Sequence, residues 1–113
     1  MESPKESTTP RYEEIVEANG ISLPDHFQDK LFLYLFENNV FSQIQPILVR
    51  IFYNMDNNTI LDFISALAEF YSEVLDEYLD FNSDAERNEM VEGYLAPFYA
   101  TFIRFQQTRN RTF

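Results

Sequence analysis

The chain has 113 residues, 45% hydrophobic and 17% aromatic, and no cysteine, so it can bury a core without staples and cannot use disulfides, thiolate metal sites or a cysteine nucleophile. Nineteen acidic side chains against eight basic ones give a net charge of −11, which opposes direct contact with nucleic acid or an anionic membrane and favours basic partners. The longest apolar runs, at 31–36 and around 47–53, fall well short of the roughly 20 residues of a spanning helix, and residues 1–10 lack the apolar segment of a secretory signal. The expectation is a soluble intracellular protein, cytoplasmic with the nucleus left open.

Residues 1–9 read as a disordered tail and 10–113 as a single helical domain, because hairpin signals between alternating runs are missing and apolar residues recur at three-to-four spacing. The expected fold is all-α, a compact bundle of four to six helices with the last one bent near Pro97. A first short helix has Thr9 as cap, Pro10 at its first position, Tyr12, Ile15 and Val16 on one face, and Gly20 as its left-handed stop. The second is expected from Ser22-Leu23-Pro24-Asp25 to about Glu37, with Phe27, Leu31, Tyr34 and Leu35 inward.

A third runs from Val40 to about Tyr53, with a kink or restart at Pro46 and Ile47, Leu48, Ile51 and Phe52 in the core. The longest begins at Thr59-Ile60-Leu61-Asp62 and extends to about Asp80, with Ile60, Ile64, Leu67, Tyr71, Val74 or Leu75, and Tyr78 on its inner face. Ser83-Asp84-Ala85-Glu86 is a capping box, in which the Ser hydroxyl accepts from the Glu86 amide and the Glu carboxylate reaches back to the Ser83 amide. The last helix then carries Met90, Val91, Tyr94, Leu95, Phe98, Phe102 and Phe105 inward, with Gly93 easing packing near Pro97 and Arg104, Arg109 and Arg111 suited to its negative end.

Motifs for chemistry are weak. His26 is the one imidazole and has no nucleophile or second ligand near it in sequence; a surface histidine is the better reading. No Gly-rich phosphate loop, nucleophile elbow or His-Glu-x-x-His exists, so neither an enzyme nor a cofactor is expected. Asp80-x-Asn82-x-Asp84 matches the opening of a calcium loop but fails at Ala85, where Gly is needed, and at Val91, where a bidentate Glu is needed. No metal is expected there.

Glu69, Glu73, Asp76, Glu77 and Asp80 line one helix as a solvated face whose like charges a basic partner would relieve. Twelve Phe and seven Tyr exceed what one small core hides, and Phe32, Phe36, Phe41, Phe81, Tyr99 and Phe105 lie off or at the edge of the main stripes. Phe32, Phe36, Phe41, Tyr99 and Phe105, with those five carboxylates, are therefore the expected partner contacts.

The reading is a non-enzymatic adaptor or scaffold module that binds a partner protein, basic or a helical peptide, through an aromatic groove with an acidic rim; homodimerisation is a second use of the same rings. A different class, an acidic inhibitor that mimics nucleic acid and blocks a basic protein, fits the charge as well. Finally, Pro46-Ile47-Leu48 with Phe52, Tyr71-x-Glu73-x-Leu75 running to Leu79, and Phe98, Phe102 and Arg109-Asn110 resemble, in order, the spacing of BART domains over about half the chain. Those are all-helical modules that bind Arf-like small GTPases, so the resemblance implies GTPase binding.

The charge is localised. Residues 56–92 hold 11 acidic side chains and only Arg87, a charge of −10, which leaves −1 for the rest.

Overall fold

A computed structural model describes residues 11–110; Thr9, Pro10, Arg111 and the expected tail lie outside them. Five α-helices follow one another, α1 (Arg11–Ala18), α2 (Phe27–Tyr34), α3 (Phe41–Tyr53), α4 (Asn57–Tyr78) and α5 (Asp84–Asn110), with a short 3-10 turn at Asn38–Val40 and no strand among the described residues. This is the all-α bundle that the periodicity implies. Helix α4 is its axis: α1 and α5 pack on it, and α3 packs on α5 and α2.

Helix α1 closes as expected, with Gly20 at φ 73° and the Ile21 amide donating back to the Val16 carbonyl at 3.2 Å. Helix α2 does not start at Ser22. The Phe27 amide donates to the Pro24 carbonyl at 3.2 Å and His26 sits at φ 68°, a left-handed turn that breaks helical continuity and delays the start to Phe27. It also ends early, at Tyr34, because the Leu35 and Phe36 amides bond three residues back, to Phe32 and Leu33.

Helix α3 runs through Pro46 without the expected restart; Pro46 is exposed, so the Ser42 carbonyl that its ring leaves without a donor faces hydration. Its buried face is Ile44, Leu48, Ile51 and Phe52, with Ile47 only half-buried. Helix α4 is capped by Asp56 rather than Thr59: the Asp56 carboxylate accepts from the Thr59 amide at 2.8 Å, and the staple positions Met55 and Ile60 are both buried. On α4, Phe63 and Ala66 join the core, whereas Tyr78, expected inside, is 61% exposed.

Ser83 accepts from the Glu86 amide at 3.3 Å, but Glu86 reaches back to the Asn82 amide at 3.0 Å, one residue beyond the expected partner. Helix α5 is unbroken across Pro97, and the Thr101 hydroxyl donates to the Pro97 carbonyl at 2.8 Å. Met90, expected inward, is exposed. A Cβ on Gly93 would meet nothing within 4 Å, so that glycine relieves no internal crowding.

Tyrosine hydroxyls join the elements. The Tyr71 hydroxyl donates to the Leu31 carbonyl at 2.8 Å, that of Tyr34 to the Tyr94 carbonyl at 3.0 Å, and that of Tyr94 to the Leu35 carbonyl at 3.1 Å. Burial pushes the phenols of Tyr34 and Tyr71 up, so they stay protonated donors. Arg109 lies in the last turn of α5, as expected, and its guanidinium also donates to the Phe52 and Met55 carbonyls, at 2.9 and 3.2 Å, which closes the end of α3.

Tyr71→Phe removes a buried donor without changing shape and is expected to lower unfolding stability by about 1 kcal/mol in urea titration, with an unchanged slope. The Asp56 carboxyl is held below its ordinary value, first by the Thr59 amide, then by the Thr59 side chain and the Arg109 charge. A lowered folded value means that Asp56 contributes stability at neutral pH and loses it as the pH falls through that value. Asp56→Asn should therefore flatten the decline of the urea midpoint below about pH 4; an equally steep decline would assign acid sensitivity to other carboxylates.

Candidate functional site

Helix α2 and the turn that closes it bring Phe32 and Phe36 together, and Phe32 sits edge-on to both Phe36 and Tyr78, at ring distances of 5.5 and 5.8 Å. Phe32 is half-buried, while Phe36 is 65% exposed. With Tyr78 and the neighbouring Leu79, both exposed, this forms an aromatic ladder facing solvent at the end of α4. Sequence reasoning placed Phe32 and Phe36 here and missed Tyr78, whose spacing matches the inner stripe only until the helix end leaves the core.

The five expected carboxylates, four on α4 and Asp80 just past its end, are all exposed, but they are not equivalent. Glu69 pairs with Arg11 at 2.8 Å, and Asp76 pairs with Arg87 at 3.0 Å. Glu73, Glu77 and Asp80 make no ion pair among the described residues, so the spare charge lies toward the ladder end of the helix. Arg87 also reaches Asp84 at 3.6 Å, and this cation occupies the region where a calcium loop would gather carboxylates. Among the described residues no group of three or more His, Cys, Asp or Glu is placed to hold a metal ion.

The remaining expected contacts scatter. Phe41 is half-buried, edge-on to Phe98 at 5.1 Å, and Phe81 is likewise half-buried against the core. Tyr99 is exposed one turn before the exposed Ile103, apart from the ladder residues in chain and element. Phe105 is a correction: it is buried, between the rings of Phe52 and Tyr53 and under the Arg109 guanidinium at 4.4 Å, and offers no free surface. His26 is exposed, its Nδ1 3.1 Å from Asp29, as befits a surface histidine.

A second apolar feature includes one of the expected contacts, Phe41, with residues that the sequence reading did not single out as contacts. An open groove of about 710 Å³ lies between the end of α2 and α5. Tyr34, Asn38 and Phe41 line one side. Met90, Gly93, Tyr94 and Pro97 line the other, and no charged residue lines either. The signal that could have found it is Gly93 itself, a glycine inside a long helix where neither a turn nor a positive φ requires one.

Comparison with known proteins finds no matching family, no matching curated protein and no matching solved structure. Of the residues that resemble BART spacing, Leu48, Phe52, Tyr71, Leu75, Phe98 and Phe102 are buried, so in this chain they carry packing.

Since Gly93 meets nothing, Gly93→Ala should raise stability by about 1 kcal/mol through helix propensity alone, read as a thermal midpoint higher by a few degrees. A lower midpoint would show that a Cβ at this position is not tolerated.

Proposed function

We propose that the chain is a non-enzymatic interaction module, an adaptor or scaffold in kind, that engages a partner protein through its exposed aromatic ladder beside an acidic helix face. The observation that carries this reading is the Phe36–Phe32–Tyr78 ladder, left in water next to Glu77 and Asp80. Covering Phe36 and Tyr78 would contribute about 1.5–3 kcal/mol for each fully buried ring, and the unpaired carboxylates select a basic surround in the partner. Nothing in this arrangement supplies a nucleophile with a base, which is why binding rather than catalysis is the reading.

The test is affinity capture from the native host, with the solution mass of the free protein measured alongside. Phe36→Ser and Tyr78→Ser, both at exposed positions, should keep the helical signal and lose the captured partner, and the wild-type complex should weaken only modestly with salt. Capture and self-association both unchanged in the double variant would sink the reading. Capture that survives the substitutions yet collapses with salt would point instead to an acidic mimic that blocks a basic protein.

A further inference from the structure

The ladder leaves the groove between α2 and α5 unused. We propose that this groove seats an amphipathic helix of a partner protein, apolar along the face it inserts and rich in Lys or Arg beside it. The inference rests on the interaction-module reading and names the class of ligand.

Shape is the first argument. From Met90 to Pro97 the floor follows about two turns of α5, the length over which a helix presents three or four anchors. At its middle, Gly93 presents no side chain and the place of its missing Cβ is open space, so a second backbone can come close there. Pro97 provides no N–H to the Gly93 carbonyl four residues back, which leaves an acceptor on the floor without its α-helical donor.

Charge is the second. Glu86, Glu89 and Glu92 precede Met90, Gly93 and Ala96, which also lines the groove, by four residues each and share their faces of α5, although the Glu86 carboxylate is turned back to the Asn82 amide. Glu37 adjoins Asn38 on the opposite wall, and all four carboxylates are exposed. The one nearby cation on α5, Arg87, is engaged by Asp76 and Asp84. An apolar floor edged by one sign of charge fits a helix with basic flanks. A second copy fits poorly: symmetric pairing of this face would set these glutamates against one another in a chain of net charge −11.

Because the chain has no tryptophan, a synthetic peptide of about 15 residues, Leu on one helical face and Lys on the other with a single Trp, reports binding by its own fluorescence. The segregated Leu/Lys peptide should bind about tenfold more tightly than a scrambled peptide of the same composition, and a Leu/Glu counterpart should not bind. Gly93→Leu, which fills the floor and favours helix, should weaken binding about tenfold. Should Gly93→Leu lose its helical signal, Glu89→Lys with Glu92→Lys tests the same groove from its exposed rim, again with about tenfold weakening expected.

Equal binding of the segregated and scrambled peptides, or wild-type affinity in the folded groove variants, overturns the proposal. So does a dimeric solution mass that Gly93→Leu converts to a monomer, which would make a second copy the occupant. Peptide binding that ignores the groove variants but is lost in Phe36→Ser, Tyr78→Ser defeats this inference and leaves the module reading standing. Failure of the module reading is seen separately, in the capture experiment on those two ladder positions.

Discussion

Helix α2 is only eight residues long, too short to hold itself together in water, and the candidate surfaces depend on how its C-terminal end is fixed. A helix end leaves carbonyls without donors. Here tyrosines from two other helices supply them: Tyr71 of α4 donates to Leu31 and Tyr94 of α5 donates to Leu35, while Tyr34 of α2 returns a bond to the Tyr94 carbonyl. The rings that deliver these hydroxyls are themselves packed, with Tyr71 stacked on Tyr94 at 6.2 Å and Tyr34 edge-on to Tyr94 at 5.8 Å. One set of side chains thus supplies apolar burial and polar satisfaction together, which is why the aromatic content is Tyr as well as Phe. With α2 seated this way, Phe32 and Phe36 point past the core, and Tyr34 and Tyr94 become walls of the groove.

The acidity of the chain divides in the same spatial way. Two arginines within the fold take up Glu69 and Asp76, and a third, Arg109, donates to the carbonyls at the end of α3. Among the described residues, Glu73 and Glu77 on α4, Asp80 just beyond it, and Glu89 and Glu92 on α5 are among the carboxylates that make no ion pair. Exposed like charges on neighbouring helix turns cost a little stability and are tolerated for solubility. Their position beside the two apolar surfaces that the fold leaves open supports a reading in which charge orients a basic partner and rings hold it.

Much of this architecture was legible in the sequence, because helical periodicity is local. The stripe Ile60, Ile64, Leu67, Tyr71 and Leu75 lies in the core, and Ser83 with Glu86 marks the start of α5. What was not legible was decided by competition or by distant contacts. Both Asp56 and Thr59 are good caps, and only the backbone geometry at Asp56, extended at ψ 171°, selects it. The start of α2 was lost to a turn closed by Pro24 and a left-handed His26, which residue type alone does not announce. Phe105 was expected both on the inner face of the last helix and among the edge rings open to a partner, and α3 holds it inside, while Tyr78 escapes because the core stops before it. The groove depends on α2 meeting α5 through residues about 60 positions apart, and no period in the chain encodes that meeting.

The central claim is that Tyr34 and Tyr94 act as one latch between α2 and α5. It is tested most directly by a double-mutant cycle on unfolding stability with Tyr34→Phe, Tyr94→Phe and the pair. Because each hydroxyl bonds the backbone that the other residue helps to position, the account predicts a coupling of about 0.5 kcal/mol or more between the two substitutions. Losses that add within about 0.3 kcal/mol would show two independent bonds and would contradict it.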